Sequence, residues 1–110
     1  MIPSFDTIDV MLSPTIAIPP PTLEAVGDKE NYISQNFQCL RNTCVANMLD
    51  LAALTMPTGL DSRGLPVGLQ ILAPAGNEEL LLAVALELEQ FLGTPGDRLG
   101  RPPMLAGTNV

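Results

Sequence analysis

Amide, ester or phosphoryl chemistry needs groups that take and give protons, and this sequence supplies few in useful places. It has no histidine, which removes Ser-His-Asp and Cys-His nucleophile pairs, histidine-ligated zinc and imidazole acid/base work together. Its lysine, Lys29, stands in Gly27-Asp28-Lys29-Glu30, where two flanking acids hold the ammonium charged. A Lys29/Ser34 nucleophile pair would need a neutral amine, which burial or a cationic neighbour produces and this segment lacks. Glu87 and Glu89, two apart on a helix, point ~200° away from each other and cannot share a proton as a carboxylate dyad. Cys39 and Cys44, five apart, lie ~140° apart on a helix and are not expected to pair. Two thiols also cannot complete a four-thiolate zinc site; they read as half-buried apolar residues of a reducing cytoplasm. No catalytic residue, metal or cofactor is expected in this chain.

The elements that would position such groups follow from periodicity. Ile8, Val10 and Leu12 alternate in a strand that Pro14 ends, and the stretch Pro14 to Pro21, with four prolines, is an extended connector over the surface. Ile33, Phe37, Leu40, Cys44, Met48 and Leu51 recur at helical steps and predict a helix over about 32–50. Thr43 and Asn47 lie one turn apart on it, placed to satisfy each other or the following strand. Asn47, beside the apolar stripe, is expected to be half-buried. Leu51 to Pro57 and Pro66 to Leu72 are strands around the turn residues Thr58-Gly59 and Asp61-Ser62-Arg63-Gly64, which predicts an antiparallel hairpin. Asn77 is placed as an N-cap, with Leu80 to Leu92 as helix and Gly93 as its stop. That helix is apolar around most of its girth and expects cover on more than one side.

The 110 residues suit one domain, expected over 1–92, while 93–110, with four Gly and three Pro, reads as an irregular tail. Twelve acids against five bases give a net charge of −7, which argues against nucleic acid and anionic membrane as partners. No apolar run approaches the ~20 residues that span a bilayer, and the N-terminus has no leader pattern, so a cytoplasmic protein is expected.

Within this β, helix, β-hairpin, helix order, four motifs resemble the C-terminal part of the amidase signature family. They are Asp9-Val10-Met11-Leu12-Ser13-Pro14-Thr15, Thr43-Cys44-Val45-Ala46-Asn47, Leu51 to Gly59, and Gly64-Leu65-Pro66-Val67-Gly68-Leu69-Gln70-Ile71. The stretch from Asn47 to Gly59 looks closer to the allophanate and biuret hydrolase-like branches. The resemblance implies an α/β fold, with α+β as the variant: a β-α-β-β-α layered fragment with a small mixed sheet. The family cleaves amides with two serines and a lysine that lie N-terminal to the matched portion, and no glycine/serine-rich run of that kind occurs here.

The expectation is therefore a C-terminal fragment or subunit of an amide hydrolase, inactive alone and completed by the missing N-terminal portion. The alternative is a stand-alone, non-catalytic interaction protein that self-associates into a homo-oligomer through unpaired strand edges and apolar helix surface. Arg41 is the candidate for contact with an anionic substrate, because in relatives this helix approaches the acyl pocket. Glutamine-using members carry an aspartate seven residues before the position of Asn47, where this chain has Leu40.

Overall fold

The computed structural model describes residues 3–101. After a 3-10 turn at Pro3–Asp6 come strand β1 (Met11–Pro14), a 3-10 turn at Glu24–Val26, helix α1 (Lys29–Met48), strands β2 (Leu51–Leu60) and β3 (Pro66–Pro74), helix α2 (Glu78–Leu92) and a short helix α3 (Pro95–Leu99). The three strands form one sheet in the order β1-β3-β2. This is the expected α/β fragment. Its sheet is antiparallel throughout rather than mixed, because β2 and β3 are joined by a tight hairpin and β1 also runs against β3.

Each outer strand carries a proline, and each of those carbonyls is taken by a helical side chain. Asn42 of α1 donates through Nδ2 to the Pro14 carbonyl at 2.8 Å, and Arg98 of α3 donates through Nη1 to that of Pro57. Proline is tolerated at both places because an outer strand has a side on which no donor is needed. Pro14 is the last residue of β1, so it ends the strand as the sequence predicts.

The hairpin closes through Asp61. Its backbone N–H donates to the Leu65 carbonyl at 2.8 Å, and its carboxylate accepts from the N–H groups of Arg63 and Leu65 at 2.8 and 2.9 Å. This is the hydrogen-bonded aspartate turn that the loop composition predicts.

One face of the sheet packs on α2. Ala52, Met56, Ile71 and Ala73 meet Leu81, with Leu54, Leu69, Val84, Ala85 and Leu88 around them. Ile71 is fully buried, and removing such a side chain from water contributes about 1.5–3 kcal/mol. Leu82, Leu86 and Phe91, on the rest of α2, remain exposed, so the broad apolar surface of this helix is covered on one side only. Asn77 holds the N-cap position, but its side chain makes no capping bond.

Helix α1 starts at Lys29, earlier than its apolar stripe predicts, because Asp28 caps it: the Asn31 N–H donates to Asp28 Oδ1 at 2.9 Å. Its buried residue is Ala46. Most of the stripe that periodicity marks as a core face is open, with Phe37 71% and Met48 82% exposed.

The region 93–110, expected to be irregular, contains α3 instead. Thr94 caps it in a reciprocal box with Asp97, and Pro95 pre-sets its first turn. The remainder of that expectation, from residue 102 onward, lies outside the described residues.

Candidate functional site

The proline-rich connector does more than cross the surface. Ile16 to Pro21 forms one wall of a cleft of about 490 Å³, whose other walls are Leu65 to Gly68 of the hairpin, Cys39 of α1 and Asp61. The prolines give this wall a fixed φ at three successive residues, so it holds its shape without backbone pairing. Apart from Asp61 the walls are apolar in character, and Asp61 is committed elsewhere. The Leu65 N–H bond holds its carboxyl below the usual aspartate range, helped by Arg63.

Gly68 belongs both to this cleft and to a cluster of neutral polar side chains beside it. The hydroxyls of Thr15 and Thr55 hydrogen-bond to each other, and Thr55 Oγ1 also donates to the Leu69 carbonyl at 3.2 Å. A Cβ on residue 68 would lie 2.7 Å from Thr15 Oγ1 and 3.1 Å from Thr55 Oγ1, so the pair requires glycine there. Register sets Ser13 and Thr55 on either side of Gln70. Gln70 is 3% exposed, and its Nε2 has no partner among the described residues. The arrangement can hold an apolar group against a neutral hydrogen-bonding floor. It contains no nucleophile paired with a base.

Of the residues singled out by sequence, Lys29, Ser34, Cys39, Arg41, Thr43, Cys44 and Asn47 lie on α1 but do not converge, and Glu87 and Glu89 lie on α2. Arg41 is exposed. The Thr43 hydroxyl donates back to the Leu40 carbonyl at 3.1 Å, within its own helix. Asn47 is exposed rather than half-buried, since α1 presses on the rest of the molecule at Ala46 and not along its stripe. Lys29 and Ser34 are both exposed on α1, and Cys39 and Cys44 are free and half-buried.

Asn42, which does bridge helix and sheet, is not marked by periodicity; its position one residue before Thr43 is the only signal the sequence offers. Thr15 and Thr55 belong to separate motifs, and nothing in spacing alone joins residues 40 apart. Among the described residues no helix is long and apolar enough to cross a membrane.

A family model described as Amidase matches residues 1–82. The chain is 41% identical over 100 residues to a 2-amino-5-chloromuconic acid deaminase of Comamonas testosteroni, covering 91% of this chain and 22% of that protein. It is 35% identical over 91 residues to the putative amidase AmiA2 of Mycobacterium tuberculosis, covering 81% of this chain and 19% of that one. A glutamyl-tRNA(Gln) amidotransferase subunit from a Synechococcus strain is 35% identical over 99 residues, covering 90% and 20%. The chain thus spans about one fifth of the length of these relatives.

Proposed function

The chain belongs to the amidase family, and from that premise we propose that it is the C-terminal part, or a separate subunit, of an amidase-signature amide hydrolase. In this reading it carries none of the Ser-Ser-Lys machinery and is inactive alone. Its task is to extend the sheet and wall the substrate pocket of a catalytic portion supplied by other polypeptide. Self-sufficient catalysis has no support in the side chains, since Lys29 is exposed between two acids and no described base meets a nucleophile.

The observation that carries this reading is the open stripe of α1. Ile33, Phe37, Leu40 and Met48 keep the spacing of a buried face, yet are 42%, 71%, 44% and 82% exposed. A face built for burial and left open fits a chain about one fifth as long as its relatives. Arg41 lies beside this stripe, and we assign it contact with an anionic group of the substrate. Leu40, where glutamine-using members carry aspartate, favours an amide other than glutamine. The stretch from Asn47 to Gly59 favours the allophanate and biuret hydrolase-like branches. A cytoplasmic location, with neither nucleic acid nor membrane as partner, fits the net charge of −7.

The test is complementation. The Comamonas testosteroni deaminase, with the segment matching this chain deleted, is co-expressed with the full chain, and recovery of that enzyme's activity is measured. Recovery supports the reading; a stable co-purified pair without activity counts against it.

The same open faces also favour a second reading, a non-catalytic protein that self-associates through them. Native mass measurement at micromolar concentration separates the two, and a clean monomer removes the second.

A further inference from the structure

Backbone groups alternate in direction along a strand, so the Thr15 N–H bond to the Gly68 carbonyl at 3.0 Å orients every such group in β3. Even residues of β3 face β1 and odd residues face β2, as the Thr55 hydroxyl bond to the Leu69 carbonyl also requires. With Ala52 opposite Ala73 and Leu54 opposite Ile71, β2 turns its even residues inward. The N–H and C=O groups of Leu51, Ala53 and Thr55 therefore point away from the sheet. Among the described residues no strand pairs on that side. The open run stops at Pro57, which has no donor and whose outward carbonyl is taken by Arg98.

Beside this edge lies a groove of about 260 Å³ between β2 and α2, reaching Leu54, Met56, Leu82, Leu86 and Glu89. Leu82 and Leu86, one turn apart, are 55% and 60% exposed, and Glu89 follows on the same side of the helix. An extended segment laid along β2 would bond at Leu51, Ala53 and Thr55 and set alternate side chains over Leu82 and Leu86.

Charge selects the occupant. Helix α2 carries Glu78, Glu79, Glu87 and Glu89 and no base, and the chain as a whole is at −7. Two copies pairing through this edge would bring acid against acid, whereas a segment with a base opposite Glu89 gains from it. About four fifths of the relatives' length lies outside this chain, which supplies the source of such a segment.

We propose that the β2 edge from Leu51 to Thr55, with the groove beside it, is a strand-addition site for an extended segment of the remaining amidase polypeptide, apolar at alternate positions and basic where it meets Glu89. The proposal rests on the chain being one part of an amide hydrolase.

Residue-resolved hydrogen exchange tests it, on the full chain alone and on the chain co-purified with the deaminase lacking its matched segment. The amides of Ala53 and Thr55 exchange freely in the chain alone and slow at least about tenfold in the complex, as the formation of one hydrogen bond each requires. Ala53→Pro removes a donor that β3 does not use and weakens the complex by about tenfold, with the isolated chain's melting curve unchanged. Should that variant fail to fold, Glu89→Lys, at a half-exposed position on the groove side of α2, serves instead and weakens the complex by a similar factor.

Protection confined to β1 in the complex, or full affinity in a folded variant, overturns the strand-addition site and leaves the amidase reading standing. Failure to form any complex overturns both. Concentration-dependent protection of the same amides in the chain alone assigns the edge to a second copy and overturns the occupant proposed.

Discussion

Thr15 and Thr55, 40 residues apart in sequence, share a hydrogen bond between their hydroxyls across the middle strand, over the bare backbone of Gly68. The bond ties the end of β1 to β2 although the two strands are not neighbours in the sheet. Both side chains are β-branched and hold one rotamer tightly, so neither swings aside cheaply.

Gly68→Ala is therefore expected to destabilise the chain by about 1–3 kcal/mol, the usual cost of an inserted group that must displace stiff neighbours. The cost should fall in a Thr15→Ala background, because Thr15 Oγ1, at 2.7 Å from the added Cβ, is the nearest atom displaced. Urea melts of the four proteins of this cycle measure the coupling, and strict additivity would remove the steric account.

Ile71→Ala or Leu81→Ala, at positions 0% and 3% exposed, should each cost about 2–5 kcal/mol. In so small a core that is enough to abolish a cooperative thermal transition. Leu86→Ala, 60% exposed, should stay within about 0.5 kcal/mol of the parent in the isolated chain.

Acid should weaken the fold through Asp28, Asp61 and Asp97. A backbone bond from Asn31 holds the Asp28 carboxyl below its ordinary range, one from Leu65 does so for Asp61, and the Thr94 hydroxyl does so for Asp97. Carboxyls depressed in the folded state stabilise it fully above the ordinary aspartate range, about 3.9, and that contribution drains away as pH falls through the lower folded values. Asp28 and Asp97 are exposed and Asp61 is half-exposed at the surface, so the effect is modest in size. The melting temperature followed from pH 6 to pH 2 shows it, and Asp61→Asn should flatten the curve.

Much of this architecture is legible in the sequence. The hairpin follows from Asp61-Ser62-Arg63-Gly64 between alternating runs, and the two long helices from their periods. What misleads is the assumption that an apolar stripe finds its cover within the chain: Phe37 and Met48 obey helical spacing and still face outward. Periodicity reports which face a helix is built to bury and says nothing of where the partner is encoded. Helix α3 is hidden because a high Gly and Pro count outweighs Thr94-Pro95-Gly96-Asp97, which spells a capping box with proline at the first helical position. The polar floor around Gly68 is out of reach, because it depends on strand order, and three strands can be arranged in several ways.

Arg98→Ala should release α3 from β2. The guanidinium bonds to the Gly93 carbonyl at 3.0 Å and also to that of Pro57. Loss of about 1 kcal/mol of net hydrogen bonding corresponds to about fivefold more local opening. Thermolysin cleavage between residues 93 and 101 should rise by that factor, with the far-UV spectrum of the remainder unchanged.

Arg41→Ala should leave the stability of the isolated chain within about 0.5 kcal/mol, as its exposure requires. In the complemented enzyme it should raise KM for an anionic amide by about tenfold and change kcat little, the pattern of lost uniform binding. Equal effects on neutral and anionic amides would remove the contact assigned to it.

Pro14 and Pro57 also bear on how far another chain can pair along the margins of the sheet. Cross-β stacks grow when each new molecule offers the next an uninterrupted row of donors and acceptors. Here both margins of the sheet carry a ring without a donor and a carbonyl already engaged by Asn42 or Arg98. A stack begun on either side would meet that interruption in every layer, which confines cross-β growth on β2 to the short run from Leu51 to Thr55.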